Sequence, residues 1–295
     1  MHLLTRRSIL SAAGALAGAS AMHTVFPGLA RANADDALSV FTADPKGGMV
    51  DSTLILGENQ ALLIDSQFTK PNAERLRDMI QATGRSLETI FITHFHPDHH
   101  FGVAVFKEAW PDARIVAHPA VAGMLAEMGQ GMFDQRKAQM GDALPDGWVA
   151  PEPLSGALSL EGESFEVLDP MFGDTLEITP VHLPQFEALV VADLVYNGTW
   201  AWLKETPDAA AADAWLASLD ALEAMNVPVI IPGHRTEDAA NDVSGIVHNR
   251  KLLKAWRQAL DETKTAEELK AAMINAMGEL PGEFFLDVAV KSLRG

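Results

Sequence analysis

The chain of 295 residues contains no cysteine. Disulfide staples, thiolate metal sites and cysteine nucleophiles are therefore excluded. Basic residues are scarce: 22 Lys and Arg stand against 40 Asp and Glu, a formal charge of -18. An acidic surface repels nucleic acid and anionic lipid, so neither is expected as a partner. Tyrosine occurs once, at Tyr196, and no acidic residue precedes Asp35. No apolar run reaches the about 20 strongly apolar residues that a membrane span needs. What is present, 48% hydrophobic and 21% charged residues, is the balance of an ordinary globular protein. Collagen-like, disordered and coiled-coil classes are excluded by it. The length suits one large domain or two small ones.

The acid-free start has a three-part layout. Thr5-Arg6-Arg7-Ser8-Ile9-Leu10 places an arginine pair before apolar residues. A mildly apolar, Ala- and Gly-rich stretch follows from Ser11 to Met22, and Ala32-Asn33-Ala34 forms a small-x-small site. This is the pattern of an export signal of the twin-arginine type. The expected organisation is a signal over 1–34 and one hydrolase-sized domain over 35–295. Loss of Arg6, Arg7 and Arg31 leaves a mature chain of charge -21 with no stable membrane insertion. The expected destination is the periplasm, where a chain without cysteine has nothing to mispair. Twin-arginine export carries folded proteins, often with a cofactor loaded, which accords with a metal or cofactor here.

After the signal, strand and helix patterns alternate. Short apolar runs at 38–42, 53–56 and 61–64 read as antiparallel strands. A helix is expected from 71 to 83, closed by Gly84, then a buried strand at 89–93. A helix at 101–110, a strand at 114–116 and a helix at 120–128 follow. Residues 130–153 show no period and read as loop. Later strands are expected at 165–168, 176–179, 188–192 and 229–231, and helices at 208–225, 238–260 and 266–277. Strands in two groups, each followed by helices, favour a layered α/β domain with two sheets.

Histidines carry the chemistry. Four lie within Thr93-His94-Phe95-His96-Pro97-Asp98-His99-His100, directly after the expected buried strand. His94 and His96, two apart, can aim to one side of an extended backbone. Three imidazoles and a carboxylate converging there would be costly to bury without a cation, and that donor set suits zinc, iron or manganese. Elsewhere, His182 and His234 stand at strand ends, and Asp193 ends an apolar run where a lone carboxylate calls for a cation. His100, His118 and His248 are left over as structural residues.

His-x-His-x-Asp-His after a strand resembles the signature of the metallo-β-lactamase superfamily. The likeness runs from Leu38 to at least His248. Leu62-Leu63-Ile64-Asp65 resembles the strand whose Asp supports the metal loop. Pro180-Val181-His182-Leu183-Pro184 resembles the segment supplying a third His, Val191-Ala192-Asp193 the strand ending in a bridging Asp, and Pro232-Gly233-His234 the late Gly-His. The resemblance implies a four-layer αββα sandwich holding two divalent metal ions, zinc foremost, with iron or manganese as alternatives. It assigns His94, His96 and His182 to the first ion and Asp98, His99 and His234 to the second, with Asp193 bridging. The sequence departs from the family where Ala192 replaces the usual Gly before that Asp. Leu-Pro-Gln-Phe after His182 also replaces the common Thr-Pro-Gly.

Such a centre implies hydrolysis. A cation lowers the pKa of bound water from 15.7 toward about 7, and a bridging hydroxide then attacks the substrate. Asp98 is expected to orient the nucleophile and hand its proton to the leaving group. Tyr196, three residues after Asp193, resembles the Asp-x-x-Tyr of acyl-homoserine lactonases, where the phenol faces the substrate oxygen; a packing role is the other reading. Trp200 and Trp202 are pocket or core residues. Residues 44–52 and 130–148 are candidate covers whose apolar side chains suit a small-molecule substrate with an apolar part. The expected activity is cleavage of a small ester, lactone or thioester. A β-lactamase and an organophosphate or sulfate-ester hydrolase fit the same site. A non-catalytic binding protein that kept the fold stays open beside them.

Overall fold

The structure is a computed structural model and describes residues 37–295. The arginine pair and the Ala32-Asn33-Ala34 site lie outside the described residues. Eleven strands form two sheets among these residues. In the first, β1 (Leu38–Thr42), β2 (Asp51–Leu56), β3 (Gln60–Ile64), β4 (Ser86–Ile92), β5 (Arg114–Ala117) and β6 (Glu152–Pro153) run in sequence order. β1 to β3 pair antiparallel and β3 to β6 parallel. The switch follows from the connections. A tight turn joins β2 to β3, whereas α1 (Lys70–Ala82) crosses from β3 to β4. The second sheet has the order β11-β10-β9-β8-β7, from β7 (Leu158–Leu160), β8 (Glu163–Val167), β9 (Val181–Leu183), β10 (Ala188–Asn197) and β11 (Val229–Arg235).

Side chains alternate across each strand and sort into layers. Ile55, Leu62, Ile64, Phe91 and Val116 of the first sheet meet Val181, Leu183, Ala188, Val190 and Ile231 of the second in a buried inter-sheet core. Leu54, Leu63, Ile90 and Ile92 face the other way, onto Leu76 and Ile80 of α1, Phe106 of α3 (Val103–Ala109) and Leu125 of α4 (Pro119–Met140). On the far side, Leu189, Val191 and Ile230 pack under three more helices. These are α5 (Ala209–Ala224), α6 (Ser244–Glu262) and α8 (Glu283–Arg294), through Trp215, Trp256 and Leu286; α7 (Ala266–Met277) adds Leu269 and Met273. The result is the expected αββα sandwich. The remaining short helix, α2 (Pro97–His100), belongs to the site.

Several local expectations change; the helix expected from 238 starts at Ser244, and the short strands β7 and β9 join the expected ones. The helix at 120–128 continues as α4 through Met140. Gly123, Gly129 and Gly131 weaken its pattern, yet Leu125, Gly129 and Phe133 recur every four residues as its buried face. Gly129 is required by contact, since a Cβ there would lie 2.2 Å from the Trp148 ring. Residues 176–179 form no strand, only a bridge between Ile178 and Met171. α8 falls in a stretch with no expected element; its Leu286, Ala289 and Val290 are buried at a helical spacing.

Candidate metal centre

β4 delivers the site. Its last residues are buried, and the chain turns at Thr93 into His94, His96 and α2. Asp65, just after β3, holds this turn: its carboxylate accepts from the Thr93 backbone N–H at 2.9 Å and from Thr93 Oγ1 at 2.8 Å. Asp65 takes a left-handed φ of 62°, a conformation that Asp tolerates better than most residues.

Two groups of side chains converge at this edge. His94, His96, Asp174 and Asp193 bring one ligand atom each to within 4.8 Å of one another, and so do Asp98, His99 and His234. Asp193 lies between the groups. Its Oδ2 is 3.6 Å from His94 Nε2 and 3.3 Å from His234 Nε2, and its Oδ1 is 3.1 Å from His99 Nε2. His96 Nδ1 is 3.1 Å from Asp174 Oδ2, and His234 Nε2 is 3.3 Å from Asp98 Oδ2.

Each imidazole is fixed from behind. His99 Nδ1 donates to Asp65 Oδ2 at 2.7 Å, and His234 Nδ1 donates to the Gly48 carbonyl at 2.7 Å. His96 Nε2 donates to Glu205 Oε1 at 3.2 Å. His94 Nδ1 donates to Thr93 Oγ1 at 3.0 Å, because that hydroxyl gives its own hydrogen to Asp65. In their neutral forms all four rings thus carry their hydrogen outward and aim a lone pair inward, the arrangement that prepares imidazole for a metal. Within the cluster, His94 Nε2, His99 Nε2, Asp174 Oδ1 and Asp193 Oδ1 are buried without a hydrogen-bond partner. Four buried acceptors facing one another are costly unless a cation lies among them. The residues fit divalent metal.

Burial opposes charge on His96 and His99, but Asp174 beside the first and Asp193 and Asp65 beside the second raise both well above the ordinary imidazole range, so protons occupy inward nitrogens until a cation replaces them. Burial pushes His94 down to about 4 and Asp174 up to about 7. Burial opposes the charged forms of His234, Asp98 and Asp193 too, but their mutual attraction outweighs it. Asp193 and Asp98 raise His234 to about 10, and the neighbouring histidines hold both aspartates below the usual carboxylate range.

His182 does not join the cluster, which corrects the expectation for the third histidine. β9 alternates, and Val181 and Leu183 are committed to the inter-sheet core, so His182 points to the opposite face. There its Nδ1 meets the exposed Glu166 of β8 at 3.2 Å. Asp174, from the loop after β8, stands in the first group instead. Its signal is the Gly173-Asp174-Thr175 triplet: a Cβ on Gly173 would press on Ile178, Leu194 and the Asp193 carbonyl, so only glycine lets this loop approach β10. Thr175 Oγ1 then donates to Glu205 Oε2 at 2.6 Å, closing a chain from the loop to His96. Glu205 likewise carries no signal in the sequence. Burial pushes its carboxyl up, but the bond to His96 outweighs this and holds it down to about 2.

The irregular backbone of β10 turns Asp193 into the site. Register shifts flank Ala192, which has a left-handed φ of 46°. That conformation explains why glycine suits this position. Gly233 of β11 is required beside it, since a Cβ there would lie 1.8 Å from Asp193 Oδ1. Tyr196 stacks on His234 with ring centres 4.7 Å apart and planes parallel within 1°. Its hydroxyl lies 2.8 Å from both Asp174 Oδ2 and Asp193 Oδ2. Burial and these two carboxylates push the phenol well above its ordinary pKa, so it remains a neutral donor.

A cleft of about 410 Å³ opens onto the cluster. Residues 45–49 and the α4 side chains Arg136 and Met140 border it, together with Phe68, Trp202, Phe284 and Phe285. Both expected covers therefore reach the site, and the start of α8 is a third, unanticipated one. Phe133 turns inward to Phe101 and Leu144, and Trp200 is a core residue. Of the leftover histidines, His100 bonds the Phe95 carbonyl and Trp148, His118 caps α4, and His248 donates to the Thr199 carbonyl.

The model of the metallo-beta-lactamase superfamily matches residues 45–234, which contain every residue of this cluster. The chain belongs to that superfamily. Solved structures agree on the fold. TTHA1429 of Thermus thermophilus, a metallo-beta-lactamase family protein, has a TM-score of 0.59 at 20% identity, over 87% of this chain and 91% of that one. A beta-lactamase domain protein from Burkholderia ambifaria gives 0.58 at 18%, over 87% and 84%. The DIM-1 metallo-beta-lactamase gives 0.52 at 21%, over 74% and 92%. Among curated proteins no match was found. The superfamily consists in general of metal-dependent hydrolases, and this chain is an enzyme of that kind.

Proposed function

We propose that the protein is an exported dinuclear metallohydrolase that cleaves a small ester, lactone or thioester. The carrying observation is the two-group cluster around Asp193, with its four inward lone pairs and three carboxylates. Two divalent cations held there, zinc, iron or manganese, would supply Lewis acidity and an activated water. His94, His96, Asp174 and Asp193 would hold the first, and Asp98, His99 and His234 the second, with Asp193 close enough to serve both.

The protein's own groups set the remaining requirements. Asp98 lines the cleft with its Oδ2 3.3 Å from His234 Nε2, so it is the carboxylate placed to orient a nucleophile and pass its proton to the leaving oxygen. Trp202, Phe284, Phe285, Met49 and Met140 give the cleft apolar walls for an acyl or alkyl portion. Lys46 and Arg136 stand exposed at its rim, the only Lys or Arg lining it among the described residues, and would favour a substrate with a negative group. The twin-arginine layout of Arg6 and Arg7 supports export to the periplasm.

The test is turnover of a panel of lactones, esters, thioesters, β-lactams and phosphotriesters by the metal-loaded protein. Cleavage of an acyl substrate is the expected result. Preference for β-lactams or phosphotriesters would replace the substrate class, and full metal loading without turnover of any member would favour a binding role.

A further inference from the structure

The family resemblance assigns three imidazoles to the first metal position, and this chain folds differently there. Its first group holds two imidazoles, Asp174 and Asp193; its second holds two imidazoles and Asp98, with Asp193 reaching it at 3.1 Å from His99 Nε2 and 3.3 Å from His234 Nε2. Asp174 is fully buried, its Oδ1 has no hydrogen-bond partner, and its Oδ2 faces His96 Nδ1 at 3.1 Å. The tight loop that Gly173 permits, the Thr175–Glu205 bond and the Tyr196 hydroxyl all hold this carboxylate in place. His182, the remaining histidine of this region, is turned to the far face of β9 and tied to Glu166.

We propose that Asp174 is a metal ligand in place of an imidazole, which makes the two positions equivalent in donor type and narrows the preference of the first for zinc over manganese(II). Two general facts lead there. Imidazole favours zinc strongly, whereas carboxylate oxygen suits harder ions such as manganese, so exchanging one for the other shrinks the gap between them. An extra buried anionic donor also raises the attraction for any dication, so the exchange changes selectivity rather than abolishing binding. The inference rests on the reading that this cluster holds metal, and it is independent of which substrate is cleaved.

The experiment compares the full-length mature protein with Asp174→His, Asp174→Asn and His182→Ala. Each is dialysed to equilibrium against mixed zinc and manganese, and the bound ions are counted by elemental analysis. Asp174→His is expected to raise the bound zinc-to-manganese ratio about tenfold. Asp174→Asn is expected to lower affinity at one position by about 10–100-fold. His182→Ala is expected to keep both ions. An unchanged ratio in Asp174→His, or unchanged affinity in Asp174→Asn, would overturn the proposal. If the histidine variant fails to fold, X-ray absorption on the loaded wild type decides. An average of two imidazoles per ion supports the assignment, and a clearly higher count overturns it. Absence of hydrolysis across the substrate panel, with these metal results intact, would defeat the proposed reaction and leave this inference standing.

Discussion

Tyr196 shows how one residue joins structure to chemistry. Its ring packs on His234, and its single hydroxyl hydrogen serves whichever of Asp174 and Asp193 needs it. The geometry gives it a positioning role toward two carboxylates, although the ring also borders the cleft. Tyr196→Phe keeps the stack and removes the hydrogen bond. It is expected to weaken metal affinity about tenfold, as loss of an outer partner does at other metal sites, and titration with a metal-competing dye would measure this. Unchanged affinity with a lowered rate would instead place the hydroxyl on the substrate. Glu205 makes the matching case for His96. Glu205→Gln removes the charge behind the ring, lowering its basicity, and should weaken the first position while sparing the second.

Strands and helices meet at the site in a definite way: strand ends assemble it and three covers close it. The cover from α4 is tied to the metal loop by Trp148, whose Nε1 donates to His100 Nδ1 at 2.8 Å while His100 donates to the Phe95 carbonyl. Trp148→Phe leaves a buried ring nitrogen unpaired and should cost about 1–3 kcal/mol in denaturant unfolding. Gly129→Ala should act similarly by displacing the indole. At the rim, paired removal of Lys46 and Arg136 to alanine is expected to raise KM several-fold for negatively charged substrates and to leave neutral ones unaffected. Equal effects on both would remove charge from the account of specificity.

The centre ties the molecule together because four of the eleven described strands pass or end beside it. β10 and β11 carry Asp193 and His234, the segment after β4 carries His94, His96, Asp98 and His99, and Asp65 just after β3 braces that segment through Thr93 and His99. Ions bound only by the folded state stabilise it by mass action, about 2.7 kcal/mol at a hundredfold excess over Kd. Chelation should therefore lower the melting temperature by several degrees in scanning calorimetry, with recovery on adding metal. An unchanged melting temperature in a chelated sample would mean that the cluster contributes little to folding. Export is checked separately: Arg6→Lys with Arg7→Lys should retain the uncleaved chain in the cytoplasm.

The layered α/β class is legible along the chain, because alternation in β2, β3 and β4 and helical spacing in α1 and α6 are local properties. So is the grouping of His94, His96, Asp98 and His99, since four ligating side chains within six positions after a buried strand cannot easily avoid one another. Distant partners are settled at a longer range. His182 looks equal to Asp174 in residue chemistry or better, yet strand parity turns it outward, and a loop that only glycine allows brings Asp174 in. Which of two distant residues reaches a site depends on the face each strand must bury, and that is decided only when the two sheets meet.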